Sequence, residues 1–581
     1  MDAVISYCDL NNHFITMLNN VKKTSVVEHN NAVCEGRFRN WGTLKYVMRG
    51  ISENMPFIDK IILIVSDYHQ VPKWINTDFV KVVYHKEFIP SKYLPTFNSR
   101  TIELFIPFIE GLSEKFIYFN DDMIPYNTTT VDSFFYNGKI REKIYSKKAS
   151  EVNSLNIYKD ANLRSMRLAA ENSGKNLNEK DDLYFEINHG PHPLLKSACV
   201  EAFNKLQNVS KYITTFRTSS NVIYYYYIYY MLFNNLIDDP TNDYHNCNYI
   251  MWCNEPVVQY FNVSRNMPNH FSVCFNDDCK NDKYEYYRKI VNSILLKKYP
   301  DICKYEKDIR TAVCVIVKNE NLYLEEFIQH YKSIGFDDIL LYDNNDHDGE
   351  SPKQFAYKYN YVKYHNKRGL EKIQNIVYEE CYHQYSNDYD WIAFFDCDEF
   401  LEFTKCKTIK SYLSNDCFKN YQCIHVNWML FGDKETLYYE DRPVQERFPN
   451  PYPFDISCVV AGRSDNDYIK SIVRTGMKNL KWSGVFGNLV HTPSNVTAVC
   501  DNKGDWCLNL GFHPYDYTYA YLKHYRLKSV EEYCKKIARG YPDQIVTDKS
   551  RQRYINRLFD FFDKTPEVLE VVKKYYPNFE F

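Results

Sequence analysis

The sequence predicts an α/β protein made of two Rossmann-like domains in tandem. Three observations carry that reading. Short β-branched apolar runs of buried-strand type alternate with stretches of helical periodicity. The alternation breaks in the polar, aperiodic segment 301–309 and then restarts. In each half one apolar run ends at once in a cluster of carboxylates, Asn120-Asp121-Asp122 in the first and Asp396-Cys397-Asp398-Glu399 in the second. The expected layout is a first domain over 1–300, a linker over 301–309 and a second domain over 310–581.

The first half opens with Ala3-Val4-Ile5-Ser6-Tyr7, a short apolar strand that ends near Asp9. A helix over 43–54 follows, then the β-branched strand Lys60-Ile61-Ile62-Leu63-Ile64-Val65. Residues 79–84 read as a third strand, 99–109 as a helix, and Phe116-Ile117-Tyr118-Phe119 as the strand that delivers Asn120, Asp121 and Asp122. This order implies a largely parallel sheet. The second half begins with a strand over 311–317 that ends in Lys318-Asn319-Glu320. A helix over 323–333, a strand over 338–343, a weaker strand over 361–364 and a helix over 372–385 lead to the strand that starts at Trp391 and ends at Asp396. The halves share a layout without an obvious sequence repeat.

Composition excludes several classes. The 581 residues are enough for two or more domains, and a net charge of −3 provides no basic field for nucleic acid. Charged residues at 25% with 18 Gly and 22 Pro suit a folded chain. The 18 cysteines are scattered, with no C-x-x-C pair and no His/Cys cluster of zinc spacing, so reduced thiols are expected. The first residues, Met1-Asp2-Ala3-Val4-Ile5-Ser6, lack the basic and apolar regions of a signal peptide. A sequon such as Asn262-Val263-Ser264 is then inert. The longest greasy stretch, 222–233, is well short of the roughly 20 residues of a membrane helix and reads as a packed helix.

Carboxylates at the end of a buried strand are hard oxygen ligands, placed where open α/β sheets bind their ligands. An isolated pair more often ends a strand or caps a helix. Here the flanking sequence adds to the signal. The first half carries Arg37-Phe38-Arg39-Asn40, then Leu94-Pro95-Thr96-Phe97-Asn98-Ser99, Glu103, and the run from Gly111 to Asp122. Asn188-His189-Gly190-Pro191-His192-Pro193, Phe216-Arg217 and Cys274-Phe275-Asn276-Asp277-Asp278 follow in order. This series resembles the Stealth family of hexose-1-phosphate transferases, which make phosphodiester-linked bacterial capsules. The family also includes the animal enzyme that tags lysosomal glycoproteins. The opening block, Asp2 to Asp9, departs from the family's Trp-Val-Asp-Gly wording.

The resemblance implies a site over roughly residues 1–290. Asp121 or Asp122, with Asp277, would hold Mg²⁺ or Mn²⁺ against a diphosphate. Arg217 would clamp a phosphate oxygen, and His189 would act as general base, with Glu103 competing for that role. Asn276 joins this set, and Asp9, Arg37, Arg39 and Asn120 are expected to contact the donor. Each has a blander reading: His189 before Gly-Pro fixes a turn, and Arg217 pairs with a structural carboxylate.

In the second half the markers are Lys318-Asn319-Glu320, Asp343-Asn344-Asn345-Asp346, Asp396-Cys397-Asp398-Glu399, Trp428-Met429-Leu430-Phe431-Gly432, Lys470-Ser471-Ile472-Val473-Arg474, Lys523-His524-Tyr525, and the run from Lys528 to Gly540. They resemble family-2-like and family-92-like glycosyltransferases of GT-A fold over about 310–545. Asp396 and Asp398, two apart on one strand, would share a face and chelate Mn²⁺ or Mg²⁺. Asp398 is the expected catalytic carboxylate, His524 a third ligand, and Asn319 and Asp343 nucleotide contacts. The general base of this half is left unassigned.

Together the two resemblances imply a bifunctional polymerase of a teichoic-acid-like capsule. It would use UDP- or GDP-sugars and a growing or lipid-linked polysaccharide acceptor, without nucleic acid. Its expected place is the cytoplasm, peripherally at the inner membrane face, with the oligomeric state open. The rival readings are one active domain beside an acceptor-binding module, and a metal-dependent nucleotidyltransferase.

Overall fold

Parallel neighbours and buried faces follow from the apolar runs. The computed structural model describes residues 1–152, 157–177, 182–252, 270–277, 281–452, 464–482, 491–539, 548–577 and 579. The sequon at Asn262, together with Asp278 and Gly540, lies outside these residues. The chain divides into two units, Met1–Tyr299 with Cys303–Lys307, and Pro300–Ile302 with Asp308–Phe581. Part of the segment expected as a linker is thus folded into the first unit. There Glu306, buried, accepts from Arg49 Nε and Nη2, each at 2.7 Å.

The main sheet of the first unit has five strands in the order His192–Leu195, Lys115–Asn120, Asp2–Ser6, Lys60–Val65, Val80–Tyr84. The last four are parallel, and His192–Leu195 runs antiparallel along Lys115–Asn120. The chain moves outward from Asp2–Ser6 on one side and then returns to its other side at Lys115–Asn120. That reversal opens a crevice at the carboxyl ends of the two strands, where Ser6 pairs in register with Asn120. Phe116 to Phe119 and Ile61 to Val65 are essentially unexposed, as expected of strands covered on both faces. A second sheet of three strands places Cys247–Trp252 beside Ser272–Asp277, with Met123–Pro125 antiparallel to the latter. It brings Asn276 and Asp277 toward the same crevice.

The helix expected over 99–109 stops as an α-helix at Phe105 and continues as a tighter turn over Ile106–Phe108. Pro107 has no N–H for the next α-helical bond, which is the physical reason. The greasy stretch forms the helix Tyr225–Phe233, buried over most of its length. Tyr226, Tyr227 and Tyr229 each donate a hydroxyl hydrogen bond, to Ala202 O, Leu104 O and Asn162 Oδ1.

The second unit repeats the strand order on a larger scale. Val362–Asn366, Asp338–Asp343, Thr311–Val317 and Trp391–Phe394 are parallel in that order. Ile469–Arg474 then adds antiparallel to Trp391–Phe394, and Cys423–Leu430, Ala520–His524 and Glu399–Phe403 complete an eight-strand path, with the short Val499–Cys500 beside Cys423–Leu430 as the ninth strand of the sheet. One expectation is corrected here. Asp396 and Asp398 do not lie on a strand face, because the strand ends at Phe394 and the next begins at Glu399. Residues 395–398 form a turn closed from both sides: Glu399 N donates to Asp396 O, and Asp396 N donates to the Glu399 carboxylate at 2.8 Å. Among the C-terminal arginines, Arg557 on the helix Asp548–Leu558 is paired with Asp465 at 2.9 Å. No described helix is long and apolar enough to cross a membrane. The described cysteines are all free.

Two candidate active sites

At the reversal point of the first unit the crevice widens into a cavity of about 760 Å³. Of the residues expected in this half, Glu103, Asn120, Asp121, Asp122, His189, Arg217, Asn276, Asp277, Arg37 and Arg39 all line it. Asp9 does not; its backbone is tied to the Gln70 side chain on both sides, and only its charge reaches Asp121.

The carboxylates are unevenly matched. Asp277 accepts a two-pronged hydrogen bond from Arg39, 2.8 Å at each oxygen. Asp122 Oδ1 is buried with no hydrogen-bond partner. Burial raises the Asp122 pKa to about 6. Burial, with the Asp122 charge beside it, pushes Asp121 well above the carboxylate range. A buried, unpartnered carboxylate oxygen is the kind of group a cation would satisfy, so the residues fit Mg²⁺ or Mn²⁺. Asp122 also lies with His189 and Cys274 in a group whose ligand atoms are within 4.8 Å of one another. Asp122 thus sits beside His189, while Asp277, its expected co-ligand, is engaged by Arg39.

Opposite in sign is a group of arginines. Arg217 Nη2 donates to Ser99 Oγ at 2.6 Å, and Arg100 Nη1 donates to Thr218 O at 3.0 Å. Burial, and then mutual repulsion with Arg37, lowers Arg217 to about 10, and burial likewise lowers Arg100 to about 10. Glu103 is the buried counter-ion. Burial raises its pKa, against the pull of Arg217 and Arg100. Tyr118 donates to Asn120 Oδ1 at 2.9 Å and reaches Glu103 at 3.3 Å. Burial lowers His189 to about 4, with His192 and Arg217 adding, so its imidazole is neutral at ordinary pH. Sequence reasoning missed Arg100. Its signal is the Arg100–Glu103 spacing on one helix face, i to i+3, with both residues buried.

In the second unit the acids meet lysines. Lys470, fully buried on the strand Ile469–Arg474, pairs with Asp396 at 2.8 Å and lies 3.6 Å from Glu399. Burial works against the charge on Lys470, but these two acids outweigh it and hold its pKa above the lysine range. Lys536 pairs with Asp398, and His524 Nε2 lies 3.7 Å from the other Asp398 oxygen. Burial opposes ionisation of Asp398, yet the Lys536 and Lys528 ammonium groups hold its pKa well below the carboxylate range. His524 is held neutral by burial, and its Nδ1 has no hydrogen-bond partner. Asp398 and His524 therefore meet, but Asp396 is drawn to Lys470 instead, and the three do not form a compact ligand cluster; the two lysines had been part of the sequence pattern without a role.

Asn319 is exposed at the end of Thr311–Val317, in a left-handed turn with φ 53°. Arg539 holds this turn, donating to Lys318 O at 2.6 Å and pairing with Glu320. Asp343 differs from expectation. It has no exposed surface and accepts from Asn345 N, Asn345 Nδ2, Tyr364 Oη and Arg368 Nη1 at 2.7–3.0 Å. Its lone pairs are committed to the loop that follows, so it orders that loop rather than facing a ligand.

Strand order and charge describe one polar crevice in each unit. The chain carries Stealth protein conserved region 2 over residues 37–143 and a glycosyltransferase family 92 domain over 309–559. It is an enzyme of the transferase class. Relatives include the capsular polysaccharide phosphotransferase WcwK of Streptococcus pneumoniae, 29% identical over 277 residues, which is 46% of this chain and 78% of that protein. The capsular polysaccharide phosphotransferase eps5J of Streptococcus thermophilus is 38% identical over 147 residues, 24% of this chain and 59% of that protein. Among solved structures, S. aureus TarS aligns over 46% of this chain and 49% of its own at 11% identity, with a TM-score of 0.19. That likeness is too slight to bear on the fold, which rests on the strand order.

Proposed function

We propose that the chain is a bifunctional polymerase of a bacterial capsule with teichoic-acid-like repeats. The first unit would transfer a sugar-1-phosphate from a nucleotide-sugar to an acceptor hydroxyl, and the second would transfer a sugar to form a glycosidic bond. The observation that carries the first half is the cavity at the strand reversal. It sets Asp121 and Asp122, the latter with one buried oxygen lacking a hydrogen-bond partner, in one cavity with half-buried Arg217 and buried Arg100.

In phosphoryl transfer, positioning and charge do most of the work. An acceptor oxygen bonds to the β-phosphorus, and the bond from that phosphorus to the leaving nucleoside monophosphate breaks. His189 would take the hydroxyl proton. Between the two candidate bases it is the better placed, since burial holds it unprotonated while burial holds Glu103 toward its protonated form. Arg217 would balance the phosphate oxygens with Arg100 and Arg37 beside it. Asp122, with Asp121 and Asp277, would hold Mg²⁺ or Mn²⁺, which neutralises diphosphate charge when bound. Asn120, Asn276 and Arg39 would position the donor. In the second unit Asp398 and His524 would hold the cation, with Lys536 balancing Asp398 in its absence, and Asn319 would contact the nucleotide. The general base there is unassigned.

Covalent linkage of two transferases raises the effective concentration of the growing end at each. The enzyme would act at the inner face of the cytoplasmic membrane on a lipid-linked acceptor. The test is product analysis with UDP- and GDP-sugars, Mg²⁺ or Mn²⁺ and a short oligosaccharide. Release of a nucleoside monophosphate from one donor and a diphosphate from another is expected. Pyrophosphate would instead mean nucleotidyl transfer, and a single product would leave one unit as an acceptor-binding module.

A further inference from the structure

The second unit holds another constellation, away from the acid cluster in sequence and built from softer ligands. His425 lies buried on the strand Cys423–Leu430, and Cys507 and His513 come from the segment that precedes Ala520–His524. Their ligand atoms all lie within 4.8 Å of one another. The spacing hides it: five residues separate Cys507 from His513, and His425 is far upstream, so no zinc pattern is visible in the sequence.

The hydrogen bonds fix where the lone pairs point. Asn509 donates through its amide to Pro493 O at 2.7 Å and Val496 O at 3.0 Å, so its Oδ1 is the acceptor end. Thr492 Oγ1 donates to that oxygen at 2.7 Å. The Thr492 hydroxyl, having spent its proton, must accept from His425 Nε2, 3.0 Å away. His425 therefore carries its proton on Nε2 and presents the Nδ1 lone pair to Cys507 Sγ, 3.7 Å away. At His513, Nδ1 lies 3.0 Å from Pro514 O, a carbonyl that can only accept, so the proton sits on Nδ1. That leaves the Nε2 lone pair, which is buried and has no hydrogen-bond partner. A thiol can donate one proton to one of these two nitrogens. It cannot satisfy both.

The geometry points to a transition-metal site of the Zn²⁺ class formed by His425 Nδ1, Cys507 Sγ and His513 Nε2. Thiolate and imidazole are the ligands Zn²⁺ prefers, whereas Mg²⁺ takes oxygen. Ligand atoms about 2.0–2.3 Å from a tetrahedral ion lie roughly 3.3–3.8 Å from each other, a separation the Cys507–His425 pair already has. Binding releases the Cys507 proton to solvent and forms the metal–sulfur bond. Thr492 and Pro514 O play the part that outer hydrogen bonds play at metal histidines, fixing the tautomer and the ring orientation. The ion would pin the 501–519 segment to the strand Cys423–Leu430. This site is independent of either transferase reading.

The test uses the full chain, stripped with chelator and titrated with Co²⁺ and Zn²⁺. One equivalent of Co²⁺ should give a sulfur-to-cobalt charge-transfer band in the near ultraviolet, which carboxylate-bound cobalt lacks, and Zn²⁺ should displace it. Cys507→Ser should abolish the band, and His513→Gln, on a partly exposed loop, should weaken binding with the fold intact by circular dichroism. Thr492→Val, which touches no metal, should lower affinity about 10- to 100-fold by freeing the His425 tautomer. Cobalt binding without the charge-transfer band, or a band that survives Cys507→Ser, would overturn the site.

Discussion

Two carboxylate clusters occupy the same place in the same strand order, between the first strand of a parallel sheet and the fourth. Their electrostatics differ. In the first unit Asp122 Oδ1 has no partner, and burial holds Asp121 and Asp122 toward their protonated forms. In the second, Lys470 and Lys536 hold Asp396 and Asp398, and Asp398 stays ionised. Topology therefore decides where carboxylates gather, and the cations supplied by neighbouring elements decide their charge state. The first crevice calls for an external cation and offers arginines to an anion. The second carries its counter-charge built in.

Removing the proposed base from the first crevice should have the largest effect. His189→Ala is expected to slow nucleoside monophosphate release about 10²- to 10⁴-fold while glycosyl transfer continues. A loss of both would mean that the two crevices are not separate. Lys470→Met attacks the built-in charge of the second. It removes the ammonium between half-exposed Asp396 and buried Glu399 and should cost about 1–3 kcal/mol in denaturant unfolding. An unchanged midpoint would mean that Lys470 does not set the charge balance there.

A subtler contrast lies elsewhere in the first unit, where buried His192 Nδ1 and Glu142 Oε2 are 2.9 Å apart. Burial raises Glu142 from 4.5 to about 8 and lowers His192 from 6.5 to about 3, so the pair is neutral near pH 7. Between about pH 6.5 and 8 folded Glu142 keeps a proton that the unfolded chain has lost. Stability attributable to it then falls as pH rises, by up to about 1.4 kcal/mol per pH unit. Glu142→Gln should flatten that slope; an unaltered slope would show that Glu142 ionises normally. The smallest effect is expected from Tyr364→Phe. It removes one of four donors to Asp343 and should cost about 1–2 kcal/mol without altering the KM for either donor. A raised KM with normal stability would return Asp343 to a nucleotide-binding role.

Much of this was legible in the amino acids. Runs such as Lys60-Ile61-Ile62-Leu63-Ile64-Val65 carry the buried-strand signal in their own composition, and the carboxylates that end such runs reach the crevice through strand direction alone. What stayed hidden depends on partners distant in the chain. Lys470 is 74 residues beyond Asp396, and nothing local says that its ammonium enters the core. The turn at 395–398 reads as an extension of its strand because Phe395 is apolar; only the Glu399 hydrogen bonds close it. Asp343 looks like a ligand contact until Tyr364 and Arg368 are seen to fill its lone pairs.

The central claim, two separable transferases in one chain, is tested most directly by measuring released nucleotides from His189→Ala and Asp398→Ala proteins side by side. The account predicts that His189→Ala loses only the monophosphate and Asp398→Ala only the diphosphate. Loss of both products in either folded variant would contradict it.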